Sequence, residues 1–222
     1  MFSSLRASAS SSSGAVPAKD DELGFASLIC SRLCHDLVGP VGAITNGIEL
    51  IEMEDDLADA GEALDLLRHS ADNASRRLKF LRLAFGSSGG DDMPLPVADA
   101  RAAAFAFFED HRLELVWPAS DGGVSKGRVR LALNLLMAGA GGLVRGGELS
   151  VDISSSRLAI SGVHERAGLG EASVDALTGV REASAGEDAR IIECFLAQKL
   201  ATAEGLTIKI EQGAGRFLIA AV

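Results

Sequence analysis

The run Cys30-Ser31-Arg32-Leu33-Cys34-His35-Asp36-Leu37-Val38-Gly39-Pro40 decides how the chain is read. Its leucines belong to a longer series, Ala26, Cys30, Leu33, Leu37, Val41, Ile44, Ile48 and Ile51, in which every step is three or four residues. That spacing predicts a helix with an apolar seam facing a partner helix. After Glu54-Asp55-Asp56, an acidic corner suited to opening a helix, the pattern resumes. Leu57, Ala60, Leu64, Leu67, Ala71, Ala74, Leu78, Leu81 and Phe85 repeat the same steps. The short corner makes residues 21–86 an antiparallel helical hairpin. Such a hairpin cannot bury both seams alone, so a second copy is expected to complete a dimeric four-helix bundle.

Outward from the hairpin, residues 1–20 are rich in Ser and Ala without periodicity and read as a disordered tail; the two basic residues Arg6 and Lys19 and the lack of an apolar core do not make a secretory signal. Residues 87–96, dense in Gly, Ser, Asp and Pro, read as a linker. Beyond it the patterns mix. A helix is expected over 97–111, carrying Phe105, Phe107 and Phe108. A strand from Leu113 to Trp117 is ended by Pro118, and a helix follows from Ser125 to Leu143. Alternating runs at 149–153 and 158–161 suggest a hairpin. A short helix at 171–178, a longer one from Asp188 to Ala203, and strands at 206–210 and 217–222 around Gly213-Ala214-Gly215 complete an α+β unit over 97–222.

Composition bounds the function. The 222 residues are 47% hydrophobic with a net charge of -10, which argues against nucleic-acid binding, since that needs a basic footprint. No apolar run approaches the roughly 20 residues of a membrane span. Three cysteines, two of them four apart, do not form a secreted disulfide framework. The expected location is cytoplasmic.

Within the first helix, His35 lies two positions from both Leu33 and Leu37, roughly 200° around from each, and so faces away from the seam. Its neighbours on that face are Ser31, Arg32, Val38, Gly39, Gly42 and Asn46, most of them small. Three glycines in one helix, Gly39, Gly42 and Gly47, each cost up to about 1 kcal/mol relative to alanine. They suggest a surface cleared for another protein to dock around the imidazole. Pro40 should kink the helix just past His35. Adjacent helical residues diverge by about 100°, so His35 and Asp36 are not expected to meet directly. Cys30 and Cys34 share a face but lack a second His/Cys cluster to make a metal site.

Cys34-His35-Asp36-Leu37-x-x-Pro40 resembles the H-box of sensor histidine kinases, and the hairpin resembles their dimerisation and phosphotransfer domain. The unit over 97–222 is similar in element order to their ATP-binding α/β sandwich. The longer run from Ser31 to Leu50, with Gly42-Ala43-Ile44 and Asn46-Gly47, resembles more specifically the histidine phosphotransferases of alphaproteobacteria. Four departures bear on activity. Where the kinase pattern places a magnesium-ligating asparagine, Asn134-Leu135-Leu136-Met137-Ala138-Gly139 has Ala138. Where it places the aspartate that reads adenine, the chain has Ser161-Gly162-Val163-His164. No glycine-rich ATP lid precedes the helix at 188. Gly39, at a position often Thr or Asn in kinases that are also phosphatases, favours transfer over hydrolysis.

The resemblance implies a phosphotransferase with no ATP and no cofactor of its own. His35 would carry the phosphoryl group between receiver-domain aspartates, Asp36 would orient or deprotonate the imidazole, and Mg²⁺ would come with the receiver. It further implies the receiver of an upstream hybrid kinase (CckA-like) and CtrA-like and CpdR-like regulators as partners. Imidazole suits the role because it is nucleophilic at neutral pH. A non-catalytic docking dimer and an active histidine kinase are the other readings, the latter opposed by Ala138 and the missing adenine-reading acid.

Overall fold

A computed structural model describes residues 19–53, 60–86, 95–119, 123–184 and 187–222. The expected tail, apart from its last two residues, the acidic corner and most of the linker lie outside the described residues.

Helix α1 runs Lys19–Met53 and continues through Pro40. Helix α2 runs Gly61–Phe85 and returns along it. At Gly47 the two helices pack closely. A Cβ there would lie 2.8 Å from Leu67 Cγ and 3.5 Å from the Ala63 carbonyl oxygen. Its glycine therefore serves the helix crossing and not the surface around His35, contrary to the sequence expectation. No described helix is long and apolar enough to cross a membrane.

Helix α3 (Val97–Phe108) packs on α2. Phe80 stacks on Phe107 with ring centroids 4.2 Å apart and meets Phe108 edge-on at 6.0 Å. Phe80, Leu81, Leu83 and Ala84 are buried in one cluster with Ala100, Ala103, Ala104 and the residues of the second unit. The linker separates the two units in sequence, yet they share a core. The reason is that the last turns of α2 carry two apolar faces. Leu78, Leu81 and Phe85 continue the heptad seam, while Phe80, Leu83 and Ala84 lie off it and belong to α3 and beyond.

Past α3 come β1 (Leu113–Val116), α4 (Lys126–Gly141), β2 (Gly147–Ile153), β3 (Leu158–Val163) and α5 (Glu171–Thr178). A 3₁₀ turn at Glu187–Ile191 then leads into α6 (Ile192–Ala203), and β4 (Ile208–Gly213) and β5 (Arg216–Ala221) close the chain. The sheet order is β1-β2-β3-β5-β4, with β1 parallel to β2 and the other neighbours antiparallel. Val151, Ile160 and Ile219 stand opposite one another in register and are all buried, which fixes the face turned to the helices. Gly215 takes the left-handed conformation (φ 73°) in the β4–β5 turn. Ser125 caps α4, its hydroxyl accepting from the Arg128 N–H at 3.1 Å. Helix α4 is buried nearly all round, as a helix must be when it packs on β2 and β3, on α6 and on α2 at once.

Polar contacts bind the same junction. Asn134 in α4 donates through Nδ2 to the Ala84 carbonyl at 3.0 Å. Arg130 donates to the Phe85 carbonyl at 3.2 Å. These satisfy carbonyls that the end of α2 leaves without helical partners. Arg76 of α2 pairs with Glu109 and Asp110 at 2.8 and 2.7 Å.

Candidate functional site

His35 projects from α1 with its side chain 74% exposed. Asp36, the next residue, is 9% exposed and faces the second unit. Contrary to the expectation from helix geometry, the two meet: His35 Nδ1 lies 3.1 Å from Asp36 Oδ1. The angle of about 100° separates only their Cα–Cβ bonds. Beyond Cβ, side-chain torsions remain, and Asp36 is held where one oxygen reaches the ring. The holding group is Arg32, one turn earlier, whose Nε donates to Asp36 Oδ2 at 2.8 Å.

Arg32 is itself fixed from the second unit. Its Nη1 donates to Glu193 Oε2 at 3.3 Å and to the Arg190 carbonyl. Burial works to lower the Arg32 pKa, but Glu193 and Asp36 beside it outweigh that and raise it. Burial pushes the Glu193 carboxyl up to about 7 against the pull of Arg32. A chain of polar contacts thus runs from the first turn of α6 to the exposed imidazole.

The face expected around His35 divides. Ser31, Val38, Gly39, Gly42 and Asn46 are exposed, and a Cβ on Gly39 or Gly42 would meet nothing within 4 Å. Arg32 instead turns inward, its side chain 19% exposed. Glu193 was not singled out by sequence. It stands among apolar residues of α6, 161 positions from Arg32, and no local pattern ties the two.

The other reactive side chains have structural surroundings. His111 stacks on Phe107 at 5.3 Å, and burial, then Arg77, lowers its pKa. His164 Nδ1 accepts from the Arg166 N–H at 3.2 Å within a loop. Cys30 and Cys34 are exposed and Cys194 is buried. Among the described residues, no group of three or more His, Cys, Asp or Glu could hold a metal ion.

Of the motif positions noted in the sequence, Ala138 is buried on α4, and Asn134 is committed to the carbonyls of Ala84 and Arg130. The Phe217 ring of β5 lies against Gly162, so that a Cβ there would collide with it, and also against Gly142 and Gly139. Three glycines form a cradle that one aromatic ring fills.

Residues 97–216 match the family model described as the histidine phosphotransferase C-terminal domain. Over 141 residues the chain is 40% identical to the protein phosphotransferase ChpT of Brucella abortus (strain 2308). That alignment covers 64% of this chain and 66% of the relative, just under two thirds of its length. A solved bacterial phosphotransferase is similar throughout, with a TM-score of 0.77 and 30% identity, covering 94% of this chain and 100% of that one.

Proposed function

The chain belongs to the histidine phosphotransferase family, and from that premise we propose that His35 relays a phosphoryl group between the aspartates of two receiver domains. The observation that carries the proposal is an exposed imidazole whose Nδ1 is engaged by a nearly buried carboxylate, which leaves Nε2 outward. In the first step the Nε2 lone pair forms a bond to phosphorus as the P–O bond to the receiver's carboxylate breaks, the bonding pair leaving on that oxygen. Positive charge developing on the ring is met at Nδ1–H by Asp36. The second step runs the same exchange toward another receiver's aspartate. Phosphoryl transfer depends chiefly on alignment and charge neutralisation, and the receiver brings the Mg²⁺. Ser31, Val38, Gly39, Gly42 and Asn46 form the docking face, where small side chains let a receiver's backbone approach. A hybrid kinase's receiver and CtrA-like and CpdR-like regulators are the partners we assign. The deciding experiment is phosphoryl uptake from a labelled receiver with and without His35.

The phosphoryl group comes from receivers and not from ATP. Ala138 cannot ligate Mg²⁺, Asn134 is engaged elsewhere, and Phe217 fills the glycine cradle between α4 and β3. Calorimetric titration with ATP and Mg²⁺ is expected to give no binding heat, and a micromolar dissociation constant would overturn this reading.

The working form is a homodimer through the α1–α2 seam. Val41, Ile48, Leu64 and Leu78, all seam positions, are 43–53% exposed in the single chain, and a second hairpin would cover them. Light scattering should give twice the chain mass, and Leu78→Glu with Val41→Glu should halve it. A wild-type chain that stays monomeric at every concentration is incompatible with the dimer.

A further inference from the structure

We propose that Arg32 and Glu193 are positioning residues of the transfer: the second unit holds Arg32, Arg32 holds Asp36, and Asp36 selects the imidazole tautomer that leaves Nε2 free to attack. The inference rests on the reading of His35 as the phosphoryl acceptor, and it gives the second unit a part in the chemistry at the hairpin.

The geometry is a single chain of contacts. Glu193 Oε2 and the Arg190 carbonyl accept from Arg32 Nη1, Arg32 Nε donates to Asp36 Oδ2 at 2.8 Å, and Asp36 Oδ1 lies 3.1 Å from His35 Nδ1. Exposure changes abruptly along it. Glu193 and Asp36 are 6% and 9% exposed, whereas the imidazole is 74% exposed. The three supporting side chains are therefore sheltered, and only the nucleophile stands in water.

Each link has a reason. A neutral imidazole has two tautomers, and the one present is set by what the other nitrogen bonds. A carboxylate at Nδ1 favours Nδ1–H and leaves the Nε2 lone pair unprotonated. A lone aspartate on a helix would sample several rotamers, and an arginine loses much side-chain freedom when fixed. The helix alone gives little reason for this pair, because a basic residue preceding an acid by four is the weaker order. The fixing comes from α6, a rigid element whose first turn carries Glu193. Arginine suits the joint because its planar fork addresses Asp36 and the second unit with different nitrogens, which a lysine's point charge cannot reproduce.

Burial holds the Glu193 carboxyl near neutrality in its titration, and both of its forms can accept from Arg32. Glutamine at this position keeps an acceptor, which makes it the conservative comparison.

The test uses the full chain with ring ¹⁵N-labelled histidines. Long-range ¹H–¹⁵N spectra at mildly alkaline pH report the His35 tautomer without any phosphate. Wild type should show Nδ1–H. Arg32→Ala should shift His35 toward Nε2–H and slow initial phosphoryl uptake from a phosphorylated receiver about tenfold, one order of magnitude being about 1.4 kcal/mol of barrier, with receiver affinity unchanged. Glu193→Ala should move both readouts the same way, and Glu193→Gln should restore both. An unchanged tautomer in folded Arg32→Ala, or equal losses in Glu193→Ala and Glu193→Gln, would reduce the contacts to a tether between units and overturn the proposal. A loss of receiver affinity alone would overturn it too, by making Arg32 a docking residue. Should Arg32→Ala not fold, the Glu193 pair gives the same reading. If His35→Ala still relays phosphate, the phosphotransfer reading fails while the tautomer result stands by itself.

Discussion

His35→Ala is expected to take up no label from a phosphorylated receiver domain, a loss of at least about a thousandfold, because the nucleophile of a covalent mechanism is removed. The substitution is unusually clean. The imidazole is 74% exposed, so its removal opens no cavity, and stability should change by no more than about 0.5 kcal/mol. Asp36 keeps its bond to Arg32, so the carboxylate is not left unpaired. Receiver affinity should survive, because the proposed docking face of Ser31, Val38, Gly39, Gly42 and Asn46 is untouched. The measurement is transfer of radiolabel from receiver to protein, with affinity followed in parallel. Label on the His35→Ala protein would place the phosphoryl acceptor elsewhere. Normal signalling by His35→Gln would point instead to an adaptor whose work is docking alone.

The largest stability effect is expected at a residue far from this chemistry. Phe80→Ala should cost about 3–5 kcal/mol, a large part of the roughly 5–15 kcal/mol that holds a typical domain folded. Phe80 is fully buried and stacked on Phe107 at 4.2 Å, so both transfer and ring-contact energy are lost. For a chain of this size the melting temperature should fall by roughly 6–20 °C. Phe105→Ala, on the α3 helix that carries Phe107 but 38% exposed under Arg101, should lose about 1 kcal/mol. Scanning calorimetry of the two variants gives the comparison. Equal small losses would mean that the hairpin and the second unit do not depend on the aromatic cluster for their union.

The two expectations draw on different levels of information. His35 could be found from spacing because helical periodicity is local: a residue two positions from two seam leucines must face away from the seam. The junction at Phe80 could not. Its series runs off the heptad for one turn only, and the α3 face that receives it is named by no repeat. The linker composition at 87–96 suggested two separate bodies, since glycine, serine and proline report chain flexibility and say nothing of what packs across the gap.

Taken by itself, the sequence determined the elements and their order, because those follow from periodicity, caps and breakers acting over a few residues. It also singled out His35 as the histidine proposed to react, and it put Ala138 and Ser161-Gly162-Val163-His164 where the kinase pattern has its magnesium and adenine ligands, since those are matters of residue identity at motif positions. Tertiary structure decided which of the small residues do what. Gly47 lets two helices touch, Gly162 and Gly142 make room for Phe217, and only Gly39 and Gly42 lie open beside His35. It decided, too, that Asp36 reaches the imidazole. Two adjacent helical side chains have no fixed relation until something holds one of them, and here the group that does so, Arg32, is itself held by Glu193 from the far end of the chain. Contacts between residues so distant in sequence are set by how the two units pack, and packing is the property that local patterns do not encode.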